Sequence, residues 1–141
     1  MKYHFKIHKE KSLYWAEGVE IHWANTQAKT PDELQRNMEE VLELCLEEPE
    51  SSDLILPLPD AKVKGKNIVE VRVKANVALA SLLRRQRLLA KMSQRTAAHK
   101  LGIKHISQYQ RLESGKMNPE LGTLEKLKKI FPKLSIDSVL A

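Results

Sequence analysis

The side chains best suited to chemistry in this 141-residue sequence are grouped in its C-terminal half, between Gln94 and Lys116. They carry hydroxyl, amide, imidazole and guanidinium groups, which can form hydrogen bonds with the base edges that line the grooves of DNA. Among them, the positions that we expect to face outward are His105, Ser107, Gln108 and Arg111, and their polar groups suit base edges. The ammonium group of Lys116 can meet a phosphate. The segment is therefore a candidate for binding double-stranded DNA.

Metal-dependent catalysis is the main chemical alternative. The N-terminal half contains carboxylates and histidines, which can bind metals, but not in the arrangement that catalysis requires. A two-metal nuclease needs several carboxylates at strand ends, around ions about 4 Å apart, yet the predicted first strand, Tyr3–His8, contains no Asp or Glu. His4 and His8 share one strand face and could ligate a metal with His22, although strand histidines are more often surface residues. No catalytic triad and no glycine-rich phosphate loop stands out. We therefore predict a binding protein that is not an enzyme and uses no metal or cofactor.

Charge divides the chain into two unlike halves. Residues 1–74 contain 11 Lys and Arg against 14 Asp and Glu, a net charge of −3, whereas residues 75–141 contain 13 against 4, a net charge of +9. A basic half suits nucleic acid, and an acidic half suits a basic protein. Between Asp32 and Asp53 nine carboxylates accompany one Arg, which fits either a solvated helix face or a basic partner. The carboxylates that we expect to contact such a partner are Glu39, Glu40 and Glu43.

Composition argues against membrane and secreted proteins. No apolar run approaches the roughly 20 residues of a membrane span, and Met1–His4 does not begin a signal peptide. The single cysteine, Cys45, cannot form an intrachain disulfide. Hydrophobic residues make up 42% of the chain, enough for a packed core. These features predict a cytoplasmic protein that does not enter the membrane.

Residues 1–74 have the pattern of a small domain with the order β-β-β-α-β. Alternation of apolar and polar residues predicts the strands, which are Tyr3–His8, Ser12–Glu17, His22–Ala28 and Ile68–Val73. A helix should begin at Thr30, because Thr30 can act as N-cap, Pro31 suits the first helical position and Glu33 can complete a capping box. The helix should end before Pro49.

Residues 75–141 have the pattern of a bundle of short helices. The first is predicted over Ala75–Lys91, and Ser93 is a suitable N-cap for a second helix that ends at Gly102. A third runs from Lys104 or His105 to Glu113. Further helical segments are expected over residues 124–130 and 136–140.

Several spaced motifs in this half resemble the phage-repressor or XRE-type helix-turn-helix. They are Ser93-Gln94, Leu101-Gly102-Ile103, Arg111-Leu112-Glu113-Ser114-Gly115-Lys116, Asn118-Pro119 and Leu124. The resemblance implies that the third helix enters the major groove and that Gln94 contacts a phosphate, with Arg95 and Lys104 as further DNA contacts. It also implies a buried ion pair between Arg87 and Glu113. Because one residue more than usual separates Gly102 from Glu113, the register of the third helix stays open.

The whole chain resembles a HicB-type antitoxin, through the β-β-β-α-β order, Leu54–Pro59 and Ile68–Val71, followed by the helix-turn-helix. In that family a partial RNase H-like domain without catalytic activity blocks a small basic mRNA-cleaving toxin, HicA, while the DNA-binding part represses its own operon. The resemblance implies an α+β protein with a toxin-binding domain at 1–74 and an all-α DNA-binding domain at 75–141. Operator DNA and a HicA-like toxin are the implied partners, and a homodimer or higher homo-oligomer is expected.

A second reading is a stand-alone transcription regulator whose N-terminal domain senses a ligand or mediates oligomerisation. A short neighbouring reading frame for a basic protein of about one small domain would favour the antitoxin. The sequence itself leaves both open.

Overall fold

The computed structural model describes residues 1–47, 49 and 51–141. It divides into two compact units, one formed by Met1–Leu46 with Leu56–Lys74, the other by Glu47–Ile55 with Ala75–Ala141. The first contains a sheet and a helix and the second is helical, so the predicted α+β class is confirmed. No helix within the described residues is both long and apolar enough to cross a membrane.

The first unit is a four-stranded antiparallel sheet with one helix. Its elements are β1 (Lys2–Glu10), β2 (Leu13–Gly18), β3 (Asn25–Ala28), α1 (Pro31–Leu46) and β4 (Ile68–Arg72), with the strand order β3-β2-β1-β4. The predicted element order is confirmed. Since β1 and β3 are both antiparallel to β2, and β4 is antiparallel to β1, strands β3 and β4 run in opposite directions. The connection through α1 is therefore not the crossover of a parallel βαβ unit.

The strand boundaries differ from the prediction by one residue at several ends, and by more at the start of β3 and the end of β1. Residues 22–24, predicted as strand, form a turn in which the Ala24 N–H donates to the Ile21 carbonyl at 3.0 Å. Gly18 permits this turn, because a Cβ there would lie 2.2 Å from the Ile21 carbonyl oxygen. At the other end, β1 continues to Glu10. The expectation of a first strand without carboxylates was therefore wrong at its last residue.

One face of α1 packs on the sheet. Its buried residues recur every fourth position, the spacing of neighbours along one helix face, and they are Leu34, Met38, Leu42 and Leu46. Tyr3 and Phe5 of β1 supply the largest buried rings of the sheet. The predicted start of the helix is confirmed: Thr30 Oγ1 accepts from the Glu33 N–H at 3.2 Å, while the Glu33 carboxylate accepts from the Lys29 N–H at 3.3 Å.

The second unit contains α2 (Ala75–Leu89), α3 (Gln94–Lys100), α4 (Ile106–Glu113), α5 (Leu121–Ile130) and α6 (Ile136–Leu140). Three of these helices end in the same Schellman motif, in which the residue after the helix takes a positive φ. Gly102 and Gly115 occupy that position after α3 and α4, and Lys91 occupies it after α2, with φ of 53°. The N–H groups of Lys91 and Met92 accordingly donate to the carbonyls of Leu88 and Arg87. Helix α2 therefore ends earlier than predicted.

Candidate DNA-binding surface

A tight turn and a shared apolar contact set the geometry of α3 and α4. Ser93 caps α3, its side chain accepting from the Thr96 N–H at 3.0 Å, as predicted. Gly102 ends α3 with φ of 71°, a conformation that costs glycine little. The two helices are in contact, and the buried residues of this region include Ala97, Ala98, Leu101, Tyr109 and Leu112. Burial of this side of α4 leaves its opposite side as the outer surface.

That outer surface carries the predicted base-contacting residues. Ser107, Gln108 and Arg111 are exposed and lie within about 100° of one another around the helix axis, given 3.6 residues per turn. Helix α4 begins at Ile106, and not at Lys104 or His105 as predicted, so His105 occupies the N-cap position. The side chain of His105 is exposed. Lys116 is exposed just beyond the helix. The structure thus gathers five polar groups on the solvent side of α4 and at its ends.

Two further basic residues predicted to contact DNA line a groove between α3 and the start of α4. Arg95 and Lys104 are exposed and border a cavity of about 500 Å³ that Ala98 and Ile103 also line. His99 lines the same groove. The sequence prediction did not include His99, although its position four residues after Arg95 on α3 places both on one face.

Gln94 lies in a polar network and not simply on the surface. Its side chain is half-buried, and its amide nitrogen lies 3.4 Å from Glu113 Oε1 while its amide oxygen accepts from Gln110 Nε2 at 3.4 Å. The amide therefore joins the start of α3 to α4. Gln110 was missed by the sequence prediction, because an isolated glutamine has no distinguishing pattern.

The predicted ion pair of Arg87 and Glu113 is confirmed as the centre of this network. Arg87 Nε donates to Glu113 Oε2 at 2.8 Å and Arg87 Nη2 donates to Glu113 Oε1 at 2.7 Å. The side chains are only 6% and 2% exposed, and Arg87 Nη1 also donates to the Met92 carbonyl at 2.8 Å. Burial alone would lower the pKa of Arg87, but the Glu113 carboxylate outweighs it and raises that pKa. Burial, reinforced by Glu113, raises the pKa of Tyr109.

Comparison with known families agrees with this geometry. A Helix-turn-helix family profile matches residues 83–138. Residues 83–138 form a helix-turn-helix domain. The match supports a DNA-binding transcription regulator, and α3 and α4 are the two helices joined by its turn. A search of curated proteins gives no significant match to the chain.

The carboxylates predicted to contact a basic protein lie on α1 in the first unit. Glu39 and Glu40 are exposed, and so is Leu44, at 61%. Glu43 is largely covered, with 18% of its side chain exposed, and its Oε2 lies 2.9 Å from Lys74 Nζ. Two of the nine carboxylates between residues 32 and 53, Glu48 and Glu50, lie outside the described residues.

The three histidines considered as metal ligands occupy different settings. His4 is buried and its Nδ1 lies 2.6 Å from Glu20 Oε1. His8 stacks on Trp15 with ring centroids 3.8 Å apart, and His22 is exposed in the turn after β2. Burial alone would raise the pKa of Glu20, but hydrogen bonds from His4 and from the Asp60 N–H together lower it. Within the described residues no three His, Cys, Asp or Glu side chains are grouped to hold a metal.

Proposed function

We propose that this protein represses its own operon through the helix-turn-helix and neutralises a co-encoded toxin through its N-terminal unit. The DNA-binding part rests on one observation, the exposed Ser107, Gln108 and Arg111 on the solvent side of α4. Helix α4 enters the major groove with Arg111 near the middle of the contact, and a bidentate guanidinium there reads guanine. A homodimer places two such helices on an inverted repeat, about one helical turn or a multiple of it apart.

A mobility-shift assay with the full chain tests the repressor. The probe is the DNA upstream of the protein's own reading frame, and the competitor is the same sequence scrambled. We expect a preference for the upstream DNA and a footprint with two-fold symmetry. Equal binding to both DNAs would contradict autorepression.

The antitoxin role rests on the acidic outer face of α1. Glu39, Glu40 and Leu44 are exposed, and Glu40, four residues before Leu44, is its neighbour on one face of the helix; this combination suits a basic protein with a small apolar contact. Glu43 contributes less to the attraction of a basic partner, since the ammonium group of Lys74 already offsets its charge. The partner is a small basic mRNA-cleaving protein, and the complex inhibits it by covering its RNA-binding surface. The N-terminal unit then acts as a partial RNase H-like fold without catalysis.

Binding kinetics test this role with the full chain and the basic protein from a neighbouring short reading frame. Because opposite charges mainly accelerate association, Glu40→Lys should slow association more than it speeds dissociation. Glu10→Lys is the matched control, since Glu10 is an exposed carboxylate of the same unit away from α1. Failure of the folded chain to bind the neighbouring gene product would leave a stand-alone regulator.

A further inference from the structure

The groove between α3 and the start of α4 combines apolar side chains with an exposed basic rim. Ala98, Ile103 and Ile106 line this cavity of about 500 Å³. Arg95 and Lys104 border it as exposed cations, and in the described part of the chain neither forms an ion pair with a carboxylate. We call this cavity the basic groove. It suits an acidic segment with an apolar side chain, because opposite charges meet at the rim while the apolar group leaves water.

The outer face of α1, in the other unit, has the complementary chemistry. Helix α1 contains five carboxylates and one arginine. Glu40 and Leu44 are both exposed, and their spacing of four residues makes them neighbours on the side opposite the buried Met38 and Leu42. The basic groove lies within the range of about 300–1,000 Å³ of pockets that enclose a ligand. It therefore has room for one leucine side chain and the carboxylate beside it.

We propose that the basic groove binds the outer face of α1 from a second copy of this chain. The two surfaces are opposite in charge, each has an apolar part, and every copy carries both. One helix face against one groove is a small contact, so the association is weak and transient. It strengthens at low salt, because exposed charges are then less screened. If the antitoxin role proposed above holds, a bound toxin and a second copy exclude each other, because both use this face of α1.

Sedimentation velocity of the full chain, without DNA or any other protein, tests the contact over a series of protein concentrations. At about 50 mM salt the mean sedimentation coefficient should rise with concentration, and at about 200 mM salt it should rise much less. Glu40→Lys should lower the association constant about three- to ten-fold, because it replaces an exposed attraction with a repulsion. Glu10→Lys is the matched control, since it makes the same change of charge on β1 and away from α1.

Charge reversal in the groove separates this contact from a general effect of net charge. Lys104→Glu lowers the net charge of the chain from +6 to +4, so any general repulsion between copies becomes weaker. The groove contact predicts the opposite result, a fall of about three- to ten-fold in the association constant. Lys126→Glu is the matched control, because Lys126 is an exposed lysine of the same unit on α5, outside the groove. A thermal melt of each variant checks that it is folded.

Mixing the two variants shows whether the contact joins different copies. The Glu40→Lys copy keeps an intact groove and the Lys104→Glu copy keeps an intact α1, so the mixture should associate more strongly than either variant alone. A mixture that associates no better than its components overturns the proposal. So does a parent chain whose sedimentation does not depend on concentration at low salt, or a variant that matches its control. The contact needs neither toxin nor DNA, so these results leave the proposed function to its own tests.

Discussion

Removal of the Arg87 side chain should destabilise the helical unit far more than the loss of an ordinary ion pair. The Glu113 side chain is 2% exposed in the parent protein, and Arg87→Ala removes its guanidinium hydrogen bonds, the shortest of which are 2.8 and 2.7 Å. The Met92 carbonyl also loses its donor. The remaining amide of Gln94, at 3.4 Å, is too distant to replace a charged donor.

The expected cost is about 3–5 kcal/mol in the free energy of unfolding, the usual effect of leaving a buried charge unpaired. A domain of this size has about 5–15 kcal/mol in total, so the variant should lose a large part of its stability. Glu125→Ala is the control, because it removes one partner of the Lys129–Glu125 pair, whose side chains are 73% and 70% exposed. Such a pair contributes at most about 1 kcal/mol.

Urea unfolding of the full chain can resolve the two units by their signals. Both tryptophans, Trp15 and Trp23, belong to the first unit, so their fluorescence follows the sheet, whereas far-UV circular dichroism is dominated by the helices of the second unit. Arg87→Ala should move the dichroism transition and leave the tryptophan transition nearly in place. If its dichroism midpoint matches that of Glu125→Ala, the pair is not an energetic centre of the domain and the reasoning is refuted.

Three further results are expected. Lys91→Gly should stabilise the helical unit by about 1 kcal/mol in a thermal melt, because glycine adopts the positive φ after α2 without strain. Gly102→Ala should destabilise the unit by a similar amount for the same reason. Changes of the opposite sign would contradict the Schellman assignment. Lys116→Ala should weaken binding to all DNA sequences similarly and reduce the slope of log binding constant against log salt concentration by about one. Arg111→Ala should weaken binding to the operator by about 1–3 kcal/mol and relax the preference for one base in competition binding. Because the pKa of Glu20 is lowered in the folded protein, its ionised carboxylate stabilises the first unit above about pH 4.3, and this stabilisation is lost as the pH falls through the folded-state pKa. The difference in unfolding free energy between the parent and Glu20→Gln should therefore shrink on acidification. A difference that does not change with pH would contradict this expectation.

Local signals in the sequence were sufficient for much of the helical unit. The N-cap at Ser93 and the glycines at 102 and 115 each act through the backbone of their own turn, so their effects do not depend on distant residues. Apolar spacing then placed Tyr109 and Leu112 inside and Arg111 outside. The outward direction of Arg111 therefore followed from the pattern, whereas its contact with a base stays a prediction.

Other features depended on neighbours that the sequence does not bring together. The end of α2 at Leu89 requires Lys91 to take a positive φ, for which lysine has no local preference. The turn at residues 22–24 depends on the close approach of the Ile21 carbonyl to Gly18. Glu43 was grouped with Glu39 and Glu40 by charge alone, but the fold places Lys74 at 2.9 Å from it.

By itself the sequence determined the order of the elements, the helix caps, the division of charge and the side of α4 that faces solvent, because these follow from periodicity and composition within short stretches. Tertiary structure alone decided that the described residues from Pro49 to Ile55 belong to the helical unit. The acceptors for Arg84 are backbone carbonyls, and every residue carries a carbonyl. No pattern of side chains could therefore identify Pro49 and Ser52 as its partners. These contacts became visible only when the folded chain brought residues more than thirty positions apart into hydrogen-bond distance.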